Sequence, residues 1–145
     1  MNDFTYYGLF LDKKTRLELM KYLIECGYAD FINRYIFYKY YLDHCTLLHK
    51  NQVTEDSKNN ILKLTFDDII ENYDTNMNIK IVGIGVSHKV IAFKVDLMSN
   101  IECACETPHI IIATFNGGTS ADVNSIKGWS ELIQPIIIPV TLKKL

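Results

Sequence analysis

The sequence predicts a single compact α+β domain. The chain has 145 residues, 48% of them apolar, which is enough to bury one core. Strand-like and helix-like segments follow in the order β-α-(αβ)-α-β-β-β-β, which is typical of an α+β fold. No linker or low-complexity stretch divides the chain. We therefore treat residues 1–145 as one domain.

The first elements are a strand and a helix. The aromatic and aliphatic run FTYYGLFL over residues 4–11 predicts a buried strand. Asp12 is a good N-cap, and apolar residues then recur at helical spacing from residue 13 to residue 26. Gly27 is placed to end this helix.

The middle of the chain is less sharply patterned. The tyrosine-rich residues 28–42 permit a short helix followed by an extended segment, and we leave them open. Residues 43–49 predict a strand, and the polar residues 50–60 predict a loop. Residues 61–73 predict a helix, although LKLTF alone would also suit a strand.

The C-terminal half is rich in β-pattern. Residues 79–97 predict two strands joined by a hairpin near Ser87-His88-Lys89, and residues 109–115 predict another strand. The Gly- and Ser-containing residues 116–125 predict a flexible loop, with a helical turn expected around Trp129. The last run, PIIIPVTLKKL, predicts a strand in which Pro139 indicates an edge or a bulge.

Composition excludes several classes of function. A net charge of −2 argues against a general nucleic-acid coat, which needs a strong basic excess. No run approaches the ~20 apolar residues of a membrane helix, and the N-terminus does not read as a signal peptide. The four cysteines show no disulfide rhythm, and Cys103-Ala104-Cys105 does not match a zinc knuckle, so reduced thiols and a cytoplasmic location are expected.

The stretch DHCTLLH offers the first candidate chemistry. His44 and Thr46 are two residues apart, so both side chains would share one face of a strand. An imidazole can exchange a proton near neutral pH, and a hydroxyl can donate a hydrogen bond to a phosphate oxygen. When such a pair occurs alone, the histidine is more often an ordinary residue at the end of a strand, without a functional role. His109 favours a functional role for the pair, because it also lies at the start of an apolar strand, PHIIIATF.

The two segments together resemble the 2H phosphoesterase superfamily, which is named for two His-x-Thr motifs on paired central strands. The resemblance rests on His44-Cys45-Thr46 and on His109, with the first strand, the following helix and the tail SADVNSIKGWSEL in similar places. More narrowly, the small size and the opening FTYYGLFLDKKTR resemble the phage anti-CBASS phosphodiesterases, which cleave the cyclic oligonucleotide signals of bacterial defence.

The resemblance implies a fold and an activity. Antiparallel sheets would line a central cleft, with helices outside. One of His44 and His109 would act as general base and the other as general acid, and the sequence does not assign which is which. Thr46 would hold a phosphate oxygen, with neither a metal nor a cofactor. The expected ligand is a cyclic di- or trinucleotide, in the host cytoplasm if the protein is viral. No membrane and no stable protein partner are expected.

One departure from the family pattern keeps other functions open. Ile111 stands where the second motif would have threonine, and it cannot donate a hydrogen bond. Strict alternation would turn Thr114 away from His109 and His49 away from His44. The alternatives are therefore an RNA 2′,3′-cyclic phosphodiesterase, or a weakened 2H domain that binds and sequesters nucleotides.

Nucleotide bases also need surfaces on which to stack. Tyr7 and its neighbour Tyr6 on the first strand are candidates, although most of the nine tyrosines are expected to be packing residues. Trp129 lies in the polar context KGWSE, which favours partial exposure. Tyr7, Ile111 and Trp129 complete the predicted substrate-binding set.

Overall fold

The structure is a computed structural model that describes residues 4–54, 58–98 and 100–145. These residues form seven strands and three α-helices, and two 3-10 helices cover Lys50–Gln52 and Ser120–Ser125. In chain order the elements are β1 (Tyr6–Phe10), α1 (Lys13–Glu25), α2 (Tyr28–Asn33), β2 (Tyr38–Tyr40), β3 (His44–His49), α3 (Lys58–Asn72), β4 (Asn76–Val86), β5 (Val90–Asp96), β6 (His109–Phe115) and β7 (Trp129–Lys144).

All strand pairings are antiparallel. The strands lie in the order β2-β6-β3-β1-β7-β4-β5, and β5 also pairs with β6. Six strands therefore close into a barrel, which β2 flanks. The single α+β domain with antiparallel strands, predicted from the sequence, is confirmed.

Helix α1 forms where its end signals predict. The Asp12 side chain accepts a hydrogen bond from the Thr15 backbone N–H at 2.7 Å, and this bond lowers the pKa of Asp12. At the other end Gly27 has φ 82°, a left-handed conformation that glycine adopts without penalty. Leu19 and Leu23 bury the inner face of the helix.

The main core joins the sheet to all three helices. Leu23 of α1, Ile32 of α2 and Phe66 of α3 are fully buried in it. The sheet contributes fully buried residues from most of its strands, among them Tyr7, Leu9, Cys45, Leu48, Ile79, Ile81, Phe93, Ile110 and Phe115. Burial of so many large apolar side chains is the dominant stabilising term of such a domain.

Three predicted segments differ from the structure. Residues 50–60 are not simply a loop, because a 3-10 helix begins at Lys50 and α3 begins at Lys58; residues 55–57 lie outside the described part. The Gly/Ser-containing loop holds the second 3-10 helix. No helical turn forms at Trp129, since this residue starts β7 and pairs with Gly85.

The predicted hairpin and the last strand are present. β4 and β5 pair antiparallel, with Val86 opposite Ile91 at the turn. In β7, Pro139 pairs with Asn78 of β4, whereas pairing to β1 covers only Thr141–Lys144. Pro139 therefore lies where β7 has a partner strand on one side only, which is the edge-type position that proline tolerates.

The cysteines differ from the expectation of free thiols. Cys103 and Cys105 form a disulfide, whereas Cys26 and Cys45 are free. The two sulfurs lie 3.5 and 3.8 Å from the Thr46 carbonyl oxygen, so the bridge sits against β3. Among the described residues, none of the helices has the length and apolar composition to span a lipid bilayer.

Candidate active site

A cleft of about 630 Å³ lies over the two central strands, β3 and β6. This volume falls in the range of sites that bind small ligands. The side chains of His44, Thr46 and His109 all line it, as does Ile111. The full lining is Thr5, Tyr6, Tyr41, Asp43, His44, Thr46, Leu47, His49, Gln52, Cys105, His109, Ile111, Thr114, Ser120 and Ala121.

The strand register brings the two motifs together. β3 and β6 pair antiparallel with Cys45 opposite Ile110. This pairing places His44 beside Ile111 and Thr46 beside His109 on the face opposite the core. Cys45 points into the core, where burial raises the pKa of its thiol to about 12 and keeps it protonated.

His44 is held by two hydrogen bonds. Its Nδ1 lies 2.9 Å from Asp43 Oδ1, and its Nε2 lies 3.0 Å from Thr46 Oγ1. The hydrogen bond with His44 lowers the pKa of Asp43, so this carboxylate is ionised and accepts the Nδ1–H. In neutral His44 the Nε2 lone pair then accepts from the Thr46 hydroxyl.

Aromatic rings hold the imidazole of His44 in place. The Tyr6 ring lies 4.9 Å from it, centroid to centroid, and the Phe10 ring lies 5.1 Å from it. Both rings are within about 25° of parallel to the imidazole, at 24° and 21°. Such contacts restrict the rotation of His44 and leave its edge directed at the cleft.

His109 is held differently. Its Nδ1 lies 2.8 Å from the backbone carbonyl oxygen of Thr107, which can only accept, so Nδ1 carries the proton. Desolvation and the nearby His44 together lower the pKa of His109 below its ordinary value. His109 is therefore neutral at pH 7, and no described residue hydrogen-bonds its Nε2.

Both histidines thus present Nε2 to one cleft with Nδ1 anchored behind. One Nδ1 is anchored by a carboxylate and the other by a main-chain carbonyl. Thr46 supplies a hydroxyl beside them, and Ile111 supplies none. The arrangement can take a proton from one side of a bound phosphodiester and return one on the other side.

Irregular pairing in both central strands corrects two predictions about side-chain direction. Between Tyr7 and Gly8 the partner of β1 steps from Leu48 to Thr46, so Leu47 is an extra residue in β3. Between Ile91 and Ala92 the partner of β5 steps from Ala113 to Ile111, so Ile112 is an extra residue in β6.

Each extra residue is a β-bulge and places two successive side chains on the core face. Leu47 and Leu48 do so in β3, and Ile112 and Ala113 do so in β6. The side chains that follow return to the cleft, so His49 and Thr114 line it rather than facing away. The apolar pairs inside half-buried strands were the sequence signal for these bulges.

Two predicted substrate-binding residues lie elsewhere. Tyr7 is fully buried in the core and its hydroxyl donates to Asp67, so it cannot stack on a ligand; the adjacent Tyr6 lines the cleft instead. Trp129 is not among the cleft-lining residues. It packs over Gly85 beside the small buried cluster of Val90, Ala92, Val123 and Ile126.

Several cleft residues were not predicted. Asp43 directly precedes His44, which was a usable signal, because a carboxylate next to a histidine often orients it. Tyr41, Gln52, Ser120 and Ala121 come from connecting segments whose position over the sheet no local pattern reveals. Within residues 4–54, 58–98 and 100–145 there is no group of three His, Cys, Asp or Glu side chains placed to hold a metal ion.

Comparison with known proteins shows the fold but no close relative. No family model matches the chain, and no curated protein matches its sequence. A solved structure described as a fungal RNA kinase is similar over 97% of this chain, with a TM-score of 0.63 and 14% identity. The match covers 46% of that chain, so this protein spans about half the length of that structure. The likeness shows that the two structures share a fold.

Proposed function

We propose that this protein cleaves phosphodiester bonds with its two histidines, and that its substrates are cyclic oligonucleotides of the kind used in bacterial antiphage signalling. The supporting observation is that His44 and His109 each direct Nε2 into one cleft while Nδ1 is anchored by an acceptor. The pairing of β3 with β6 also places the Thr46 hydroxyl beside both histidines, where it can hold a phosphate oxygen.

In the proposed reaction His109 is the general base and His44 the general acid. His109 is neutral, so its Nε2 can remove the proton from a ribose 2′-hydroxyl. The bond from O2′ to phosphorus forms, and the bond from phosphorus to O5′ breaks. His44 enters the step protonated on both ring nitrogens, with its charge balanced by the Asp43 carboxylate, and donates the Nε2 proton to O5′. The product is a 2′,3′-cyclic phosphate end.

The test is cleavage of cyclic dinucleotides in the presence of EDTA, followed by chromatography of the products. General acid and base catalysis each contribute about 10²–10⁴-fold, so His44→Ala and His109→Ala should each lose at least a hundredfold in rate. His88→Ala is the matched control, because its side chain is exposed outside the cleft lining. Undiminished activity in both cleft variants, or a strict need for added metal, would reject the proposal.

RNA ends are the second candidate substrate. The structural neighbour is described as an RNA kinase, which makes RNA a reasonable ligand for the shared fold. The same assay run with RNA bearing a 2′,3′-cyclic phosphate end distinguishes the two. Turnover of the RNA end without turnover of cyclic dinucleotides would favour this candidate.

Nucleotide sequestration is the third candidate, and Ile111 is the observation that favours it. Ile111 lines the cleft next to His44 and offers no hydrogen bond to a second phosphate oxygen. Tight binding of a cyclic dinucleotide with no products after long incubation would support sequestration over cleavage.

A further inference from the structure

The Thr114 hydroxyl lines the cleft and has no partner among the described protein groups. The residue as a whole is 6% exposed, and none of the described residues forms a hydrogen bond with its hydroxyl. The one described side-chain atom that is both fully buried and unpaired is Asn59 Oδ1, so the Thr114 hydroxyl still reaches the cleft. A hydroxyl that is open to the cleft and unpaired within the protein can hydrogen-bond to a ligand group bound there.

The bulge is what brings this hydroxyl to the cleft. In a regular strand Thr114 would face the core, as Ile110 and Ile112 do. The extra residue Ile112 reverses the alternation, so Thr114 joins His109 and Ile111 on the cleft face. A bulge beside a functional site commonly re-aims a side chain in this way.

The surroundings of Thr114 suit a planar group with polar edges. Tyr41, Ile111 and Ala121 line the same end of the cleft, and Ser120 adds a second hydroxyl. Aromatic and aliphatic surfaces accept the face of a nucleobase, and hydroxyls hydrogen-bond to its edge. Lys39 Nζ lies 5.1 Å from the centre of the Tyr41 ring and adds positive charge near this end.

Thr114 is too far along the strand to replace the missing threonine of the second motif. It lies five residues beyond His109 and three beyond Ile111, and a strand advances about 3.3 Å per residue. The opposite end of the cleft holds His49 and Gln52, whereas the Tyr6 ring stacks on His44. The histidine pair therefore lies between two ends that differ in their polar groups.

We infer that Thr114 is a specificity-determining residue that hydrogen-bonds to the base of the nucleotide bound at the Tyr41 and Ser120 end of the cleft. This inference rests on the proposed phosphodiesterase function.

The experiment compares Thr114→Val with Thr114→Ser on cyclic dinucleotides that differ in their bases. Valine keeps the shape and removes the hydroxyl, whereas serine keeps the hydroxyl. For Thr114→Val we expect KM to rise about threefold to tenfold, as for one lost hydrogen bond, and the preference among bases to narrow. Thr114→Ser should retain the wild-type preference. Thermal unfolding checks that both variants fold.

The outcomes separate this inference from the proposed function. If the wild-type protein cleaves cyclic dinucleotides and Thr114→Val has unchanged KM and base preference, the inference is overturned and the function stands. A loss confined to kcat in Thr114→Val would also overturn it, because a base contact away from the reacting atoms acts on binding. If the wild-type protein neither binds nor cleaves these ligands, both proposals fall.

Discussion

The two central strands present the same geometry with different chemistry. β3 places His44, Thr46 and His49 on the cleft, and β6 places His109, Ile111 and Thr114 there. In both strands the spacing is two residues and then three, because each contains one extra residue. The framework is therefore nearly twofold symmetric, whereas the side chains are not. We infer from this difference that β3 and β6 have different chemical roles in the site.

The anchors of the two histidines show the same asymmetry. A carboxylate holds His44, and a main-chain carbonyl holds His109. The β3 half can carry positive charge and clamp an oxygen through Thr46. On β6, burial removes His109 from water and lowers its pKa, which favours the neutral imidazole. Four changes break or sharpen this comparison.

Making β3 resemble β6 should have the largest effect. Thr46→Val removes the hydroxyl that lies 3.0 Å from His44 Nε2. Both strands would then carry an aliphatic side chain two residues after the histidine, as β6 already does with Ile111. Loss of a single oxyanion donor lowers kcat by roughly 10²–10³-fold in other enzymes. We expect a loss of that order in steady-state cleavage. Thr46→Ser should retain most of the rate, and equal losses in both variants would contradict a role for the hydroxyl.

Removing the charge behind His44 should have the next largest effect. Asp43→Asn keeps the size of the side chain but no longer balances an imidazolium. Loss of such an orienting partner typically reduces activity about tenfold to a hundredfold. The measurement is kcat at several pH values. Unchanged kcat would show that Asp43 does not assist His44.

Making β6 resemble β3 should produce a gain. Ile111→Thr adds the second donor, and we expect turnover to rise about threefold to tenfold, less than the full value of an optimised donor. Ile111→Val is the matched control, since it is β-branched without a hydroxyl. If Ile111→Thr lowers turnover, the apolar side chain itself is needed for packing against Val90 and its neighbours.

The smallest expected effect concerns stability against pH. Because the pKa of folded His109 is lowered, the unfolded chain binds a proton that the folded protein resists. The free energy of unfolding is therefore not reduced by His109 above pH ~6.5. It falls as the pH drops from there towards the pKa of His109 in the folded protein. Urea unfolding should show a shallower acid decline for His109→Gln than for wild type. Parallel curves would contradict this account, and His88→Gln serves as the control.

Local signals in the sequence were sufficient for much of the fold. Asp12 and Gly27 predicted the ends of α1 correctly, and runs of apolar and β-favouring residues predicted β1, β3, β6 and the β4–β5 hairpin. These elements are coded by caps, turns and apolar periodicity within a few residues. The pairing of His44 with His109 was also predicted, but through family resemblance rather than periodicity.

What the sequence did not reveal depends on contacts between distant segments. Strict alternation placed the side chains of His49 and Thr114 on the core face. Both lie on the cleft face, because one extra residue in each strand shifts the alternation by one. The strand at Trp129 depends on pairing with Gly85, and the Cys103–Cys105 bridge depends on how its loop folds against β3. The buried Tyr7 could be distinguished from the cleft residue Tyr6 only by knowing which face of β1 packs against the core.

The closed sheet has a consequence for self-association. Closure through β5 and β6 gives the barrel strands neighbours, whereas β2 pairs, among the described strands, with β6 alone. An open strand edge is a template on which a second copy can add its own strand, and exposed Ile36 and Phe37 lie beside it. β2 is only three residues long, and its centre is the charged Lys39. Shortness and charge are the features that keep such an edge from seeding aggregates.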